Sequence, residues 1–260
     1  MLLSIIILNY KTKELVKQCI KGIKLANLAF DYEIIVVDNA SNDSIGEMLK
    51  ERFSDVKFIQ SPENVGYAAG NNLGLKQSLG EYILILNPDI VVKEGSIEKM
   101  IEYIKQNNEI GLVAPKLINP DKTIQHSCFK FPTFWTPVFR RTPLGRLKIF
   151  QKKVDEYLMK DWPHDSNKEV DWLLGAALLF SKNSLEIVGP LDERFVLYFE
   201  DVDWCRRFWE KNLKVMYFAE SEMVHYHQRL SAEDSFFKSI FNNVTRIHIQ
   251  SWLKYFWKNR

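Results

Sequence analysis

The chain has 260 residues, 46% of them hydrophobic and 13% aromatic, enough for one large domain or two closely packed halves at roughly 100–200 residues per domain. Thirty-five basic residues against 33 acidic ones leave a net charge of +2, so composition gives no support to a nucleic-acid partner. Cys19, Cys128 and Cys205 are scattered and odd in number; they form neither a disulfide framework nor a metal-ligand pair, and a reducing cytoplasm fits them best.

Leu2 to Leu8 is short, apolar and without a basic lead, and Asn9-Tyr10-Lys11 closes it. It reads as a strand, not a signal peptide. No run reaches the ~18 apolar residues of a membrane-spanning helix. Helix-like spacing from Thr12 to Leu28 follows, with Leu15, Val16, Cys19, Ile20 and Ile23 on one side and lysines on the other. Glu33–Val37 is a second buried strand, Ser44–Phe53 a helix and Val56–Gln60 a third strand. Tyr67–Leu79 is helical, Tyr82–Leu86 a fourth strand, and Ser96–Gln106 a helix opened by Gly95. Repeated strand–helix units predict an α/β fold with a mostly parallel, Rossmann-like sheet covered on both faces.

Ligands bind such sheets beyond the carboxyl ends of the strands. There the sequence turns polar and small: Asn9 after the first strand, Asp38 to Asp43 after the second, Ser61 to Gly66 after the third, Asn87-Pro88-Asp89 after the fourth. Each alone is ordinary turn chemistry; four together predict a site. Asp89 on its Pro-stiffened turn suits a hard divalent ion such as Mg²⁺ or Mn²⁺, which takes few protein oxygens beside phosphate; Asn-Pro-Asp is equally a turn signal. Asp38 either accepts hydrogen bonds from a base or ribose or closes an Asx-turn. In Asn64-Val-Gly-Tyr-Ala-Ala-Gly-Asn-Asn72, small residues at a helix start let a phosphate or sugar approach the backbone, or serve helix–sheet packing. The spacing of Gly66, Gly70 and Gly74 is not that of a dinucleotide fingerprint.

The second half is less regular. Lys130 to Lys153 mixes seven basic residues (Lys130, Arg140, Arg141, Arg146, Lys148, Lys152, Lys153) with aromatics and prolines. It reads as a solvated loop or as a contact with a membrane face. Val170–Ser181 is apolar but broken at Gly175-Ala176-Ala177. Glu200, Asp201 and Asp203 open a helix running to Lys211. They either cap it or hold a general base at a cleft rim. Asn212–Ala219 reads as turn and strand. His225 and His227 alternate on an extended segment, a pattern shared by structural histidines and metal ligands. From Ala232 the tail is helix-like and aromatic, fit for packing, membrane contact or a homodimer.

In their order, Asp38-Asn-Ala-Ser, Asn64 to Asn72, Leu86-Asn-Pro-Asp89, Gly175-Ala-Ala, Glu200-Asp-Val-Asp-Trp-Cys-Arg-Arg and His225 resemble the inverting family-two glycosyltransferases, and within them the rhamnosyltransferase-like branch that builds bacterial surface polysaccharides. The resemblance runs from about Ser4 to about His227. It implies a glycosyltransferase-A fold, with a nucleotide-sugar-binding half over 1–115, an acceptor-binding and catalytic half over 116–230, and a helical tail over 231–260. It implies Asp201 as catalytic base with Glu200 beside it, and Asp89 and His225 as ligands of Mg²⁺ or Mn²⁺. Asn87 stands where many relatives carry the first Asp of Asp-x-Asp. Asn9, Asp38, Asn64, Gly66, Asn71 and Asn87 fall on the donor side; Trp172, Gly175 and Ala176 match the acceptor wall. The expected donor is a dTDP- or UDP-sugar, rhamnose first, and the acceptor a saccharide or lipid-linked hydroxyl. The expected location is the cytoplasm at the inner membrane face. Two rivals stand beside this. One is a non-catalytic nucleotide-sugar-binding or scaffold protein. The other is a nucleotidyltransferase, which would need a Gly-rich basic loop where Asn9-Tyr10-Lys11-Thr12 stands.

Overall fold

A computed structural model describes residues 1–226 and 243–259. The elements are, in order, β1 (Leu3–Asn9), α1 (Lys13–Leu25), β2 (Tyr32–Asp38), α2 (Ile45–Arg52), β3 (Lys57–Gln60), α3 (Gly66–Leu75), β4 (Tyr82–Leu86), β5 (Ile90–Val92), α4 (Ser96–Gln106), β6 (Ile110–Ile118) and β7 (Cys128–Phe129). There follow α5 (Thr136–Arg141), a 3₁₀ turn (Pro143–Arg146), α6 (Lys148–Tyr157), β8 (Lys168–Glu169), β9 (Trp172–Leu173), β10 (Ala177–Ser181), α7 (Lys182–Val188), α8 (Glu200–Glu210), β11 (Lys214–His225) and α9 (Asn243–Lys258).

Period-two alternation in fully buried strands divides the core in two. Leu3, Ile5 and Ile7 join one cluster with Ile34 and Val36, beneath the buried faces of α1, α2 and α4. Ile6 joins the other with Ile35 and Val37, where Ala68 of α3 and Val202, Trp204 and Phe208 of α8 pack. The main sheet runs β3-β2-β1-β4-β10-β6-β11-β5, with β8 attached to β11. β3, β2, β1 and β4 are mutually parallel, as expected from the strand–helix repeats. β10 then enters antiparallel between β4 and β6, with Ala177 opposite Leu86. That reversal places Gly175 and Ala176, just ahead of β10, beside the carboxyl end of β4. β6 runs across residues 115 and 116, so the two halves share one sheet.

Two segments differ from the sequence pattern. The helix predicted over Tyr67–Leu79 ends at Leu75, because the backbone N–H groups of Leu79 and Gly80 are taken by the Ser4 hydroxyl at 3.1 and 2.8 Å and that of Leu79 also by Glu33 at 2.7 Å. The Lys130–Lys153 stretch is not an open loop. It folds into α5, the 3₁₀ turn and α6, with Phe139 stacked on Phe150 at 4.3 Å. The tail is helical over α9. Ser251 Oγ donates to the Leu197 carbonyl at 2.9 Å, Arg206 Nε donates to the Tyr255 hydroxyl at 2.8 Å, and Lys258 pairs with Asp203 at 2.5 Å. Among the described residues no helix is long and apolar enough to cross a membrane.

Candidate active site

Parallel pairing brings the ends of the first strands level, since Asn9 lies opposite Asp38 and Asp38 opposite Gln60. Asn9 is fully buried. Its amide nitrogen donates to Asp38 Oδ1 at 2.8 Å and Ser41 Oγ at 2.9 Å, and its Oδ1 accepts from the Thr12 N–H at 3.1 Å. The other Asp38 oxygen accepts from Gln60 Nε2 at 2.9 Å. Asn39 then ties this loop to the next: its Nδ2 donates to Asn64 Oδ1 at 2.8 Å, and its Oδ1 accepts from the Val65 N–H at 2.9 Å. The turn amides thus link neighbouring loops.

The glycine-rich helix α3 resolves in the same way. Gly66 has φ +87°, and a Cβ there would lie 2.5 Å from the Val196 carbonyl oxygen; only glycine serves. A Cβ on Gly70 would meet Leu8 at 2.6 Å and one on Gly74 would meet Ile6 at 2.5 Å. These two glycines let α3 press onto β1, so for them the packing explanation holds. Asn72 clips α3 to Leu191 through both its amide atoms, at 2.9 and 3.1 Å. Asn71 donates to the Tyr67 carbonyl at 2.9 Å, and its buried Oδ1 has no hydrogen-bond partner.

β5 turns back after Asp89 and pairs antiparallel with β11, His225 opposite Ile90. The Tyr226 N–H donates to the Asp89 carbonyl at 2.9 Å. Residues 136 positions apart in the chain are therefore neighbours, and His225 Nε2 lies 3.3 Å from Asp89 Oδ2. His225 is buried, and its Nδ1 is 2.7 Å from Gln125 Oε1. An amide oxygen can only accept, so Nδ1 carries the hydrogen. Nε2 is then the ring nitrogen that faces the carboxylate. Asp89 Oδ1 is also buried without a hydrogen-bond partner. No cluster of three or more His, Cys, Asp or Glu forms a metal site among the described residues. A carboxylate and an imidazole do fit an ion that completes its shell with water and substrate phosphate. His227 lies outside the described residues.

The carboxylates of α8 approach from the other side. Tyr198 and Phe199 both hold φ +68°, an unfavourable geometry for residues with a Cβ, of order 1 kcal/mol or more each. They swing Glu200 and Asp201 to the first turn of α8, where the helix dipole favours acids. Asp201 Oδ2 accepts from the Gly175 N–H at 3.1 Å and Oδ1 from the Val202 N–H at 2.8 Å. The Asn87 N–H reaches the Ala176 carbonyl at 2.8 Å, and the Tyr67 hydroxyl donates to the Gly175 carbonyl. Gly175 thus meets Tyr67 and Asp201, and Ala176 beside it meets the Asn87 backbone. Burial is the main force on the two acids. It drives Glu200 well above the usual carboxylate range, with the Asp201 charge adding to the rise. It raises Asp201 to about 6 against the opposing backbone hydrogen bonds from Gly175 and Val202. Glu200 Oε2 is buried with no hydrogen-bond partner. Asp203, third acid of the motif, is structural: it binds Arg207 at 3.1 Å and Lys258 at 2.5 Å.

Trp172, expected on the acceptor wall, is buried. Its ring stacks on Phe129 at 4.4 Å and its N–H donates to the Lys130 carbonyl at 2.9 Å. It precedes Gly175 and Ala176 by three and four residues and packs away from them, on Phe129 and Tyr157. Sequence reading passed over Gln60, Asn39, Tyr67 and Gln125 as participants. Tyr67 lay within a quoted motif, but nothing local marks Gln125, which meets His225 across 100 positions.

The profile of glycosyl transferase family 2 matches residues 4–157. That stretch covers more than half of the chain and carries every loop described on the donor side. The chain belongs to that family. It is 29% identical over 217 residues to the low-salt glycan biosynthesis hexosyltransferase Agl10 of Haloferax volcanii, covering 82% of this chain and 63% of the relative. It is 23% identical over 230 residues to an N-acetylglucosaminyl-diphospho-decaprenol L-rhamnosyltransferase of Mycobacterium tuberculosis, covering 77% of this chain and 68% of that one. Among solved structures, GalNAc-T7 with UDP, GalNAc and Mn²⁺ superposes with a TM-score of 0.62 at 13% identity, over 88% of this chain and 44% of that one. At that identity the likeness speaks for the fold alone, which is the glycosyltransferase-A fold. This family-two chain thus spans under two thirds of Agl10 and under half of GalNAc-T7.

Proposed function

We propose that the protein transfers a sugar from a nucleotide diphosphate carrier to an acceptor hydroxyl, with inversion, in the synthesis of a cell-surface glycan. The observation that supports this reading is the Gly175-Ala176 segment, which meets Tyr67 and Asp201 through Gly175 and the Asn87 backbone through Ala176, two residues from Asp89 with its His225 neighbour.

On the donor side, Asp38 is the acceptor for a base or ribose, pre-aligned by Asn9 and Gln60. Asn64 and Gly66 shape the loop facing the diphosphate, with Asn71 and Asn87 near it. Asp89 and His225 would hold Mg²⁺ or Mn²⁺, which as a Lewis acid neutralises the phosphates of the leaving group; UDP and Mn²⁺ in the GalNAc-T7 structure support that cofactor. Asp201, ionised at neutral pH yet basic for a carboxylate, takes the proton from the attacking hydroxyl. Glu200 beside it is held well above the usual carboxylate range by burial and by the Asp201 charge. The hydroxyl attacks the anomeric carbon from the face opposite the leaving group, so one displacement inverts the centre without a covalent intermediate. Gly175 and Ala176 form the acceptor wall, with Trp172 three residues ahead of Gly175.

A dTDP- or UDP-sugar is the donor class, with rhamnose first because the mycobacterial relative carries that activity in its name. The decaprenol in that name also supports a lipid-linked acceptor and a reaction in the cytoplasm at the inner membrane face. The division into a donor half over 1–115, an acceptor half over 116–230 and a tail from 231 belongs to the same reading. The decisive experiment is calorimetric titration of dTDP-rhamnose, UDP-sugars and the free nucleotides with and without Mn²⁺, followed by turnover with saccharide acceptors. Metal-dependent binding with consumption of one donor is expected. Binding without turnover on any acceptor would favour the scaffold alternative.

A further inference from the structure

From Lys130 to Lys153 the chain carries seven basic residues and no acidic one, although its overall net charge is only +2. The structure divides the apolar residues of this stretch into two sets. Phe139 and Phe150 stack α5 on α6, and Phe134, just ahead of α5, packs on Trp252 at 4.5 Å. Trp135, Leu144, Leu147 and Ile149 do the reverse: they are 58%, 49%, 53% and 71% exposed. On α6, Lys148, Ile149, Lys152 and Lys153 are all exposed and share an arc of about 140° at 100° per residue; exposed Glu156 falls within the same arc, and Asp155 at its edge pairs with Lys160 at 2.8 Å. Large apolar side chains held outward among lysines are poorly matched to water, while the aromatic contacts beneath them keep the helices from turning them inward.

We propose that this face docks the protein on an anionic lipid surface. Lysines would pair with lipid headgroups while Trp135, Leu144, Leu147 and Ile149 enter the boundary with the acyl chains. From Lys130 to Tyr157 seven basic residues stand against two acidic ones, Asp155 and Glu156, and this net positive charge selects lipid over a second copy of the chain, whose identical face would repel it. The contact involves none of the groups assigned to sugar transfer, so it stands or falls separately from that function.

The test is co-sedimentation of the intact protein with vesicles of phosphatidylglycerol and phosphatidylcholine in equal parts, compared with phosphatidylcholine alone. The protein is expected to partition to the anionic vesicles and to be released as salt rises from ~0.1 to ~1 M. Lys148→Glu/Lys152→Glu/Lys153→Glu is expected to lower partition by roughly a hundredfold, at about fivefold per lysine. Trp135→Ser/Ile149→Ser is expected to lower it about tenfold or more, the equivalent of burying one large apolar group, with unchanged thermal unfolding. Equal binding to neutral vesicles, no binding to anionic ones, or salt-insensitive binding of the unaltered protein would overturn the proposal without any variant. Full binding by the Trp135/Ile149 variant would overturn it in favour of a polyanion surface such as one for RNA.

Discussion

The loops at the ends of β1 to β3 and the first turn of α8 both present buried acids, in opposite settings. Asp38 is surrounded by donors, with Asn9, Ser41 and Gln60 each giving it a hydrogen bond. Glu200 and Asp201 sit side by side in apolar surroundings with only backbone donors on Asp201, and burial lifts both above the usual carboxylate range. A satisfied network gives a rigid recognition surface. A desolvated pair gives reactivity and leaves an unsatisfied oxygen as its mark. The proposed function assigns binding to the first setting and chemistry to the second, and the difference lies in the donors the fold supplies to similar side chains.

The sharpest way to break this contrast is Asp201→Asn. Loss of the base is expected to lower kcat by about 10³-fold while donor affinity stays within a few-fold, measured by turnover and calorimetry on the same preparation. Asp38→Asn should do the opposite, weakening donor binding by about tenfold, the worth of one charge-assisted hydrogen bond, with kcat nearly kept. If both variants lose kcat alike, the division between recognition and chemistry fails.

The proposed metal ligands, Asp89 and His225, extend the comparison. Asp89→Ala should abolish Mn²⁺-dependent tightening of donor binding, and His225→Ala should impair it less. Gln125→Ala should weaken the apparent Mn²⁺ affinity by about tenfold, the usual effect of removing a partner that orients a metal-ligating histidine; Gln125→Glu, which keeps an acceptor for Nδ1, should restore most of it. A Gln125→Ala titration that overlays the unaltered protein would show that the hydrogen bond orients nothing.

The smallest effect is on stability. An acid whose folded pKa is raised favours the folded state most when protonated. The stabilisation therefore holds below the unfolded value near 4 and is lost as pH rises through the folded value, about 6 for Asp201. Glu200→Gln and Asp201→Asn should each raise the melting temperature at pH 7, and the gain should shrink toward pH 4. A gain that does not change with pH would mean that the carboxylates are not strained by burial. The acid limb of kcat/KM in the unaltered enzyme should fall near pH 6.

Much of the first half could be read directly from residues. Continuous apolar strands, amphipathic helices and polar strand ends are local patterns, and convergence of the loops follows from parallel pairing alone. The glycines of α3 were visible but their duties were not: whether Gly70 faces a phosphate or Leu8 depends on which side of the helix meets β1. The second half was harder because its key contacts join distant segments. The insertion of β10 against the direction of β4 brings Gly175 to Asp201, and the bulged course of β11 along β6 carries His225 to Asp89.

What the sequence determined by itself was the inventory: which strands are buried, which turns carry acids and amides, and which family orders them in this way. Tertiary structure alone decided the roles of similar residues, with Asp203 tied to Lys258, Glu200 left with an orphan oxygen, and Asp201 poised near neutrality. The reason is physical. A side chain's chemical type is set by the code, but its pKa and its partners depend on the dielectric and the donors around it, and several of those come from far along the chain: Gly175 is 26 positions from Asp201 and Asp89 is 136 from His225.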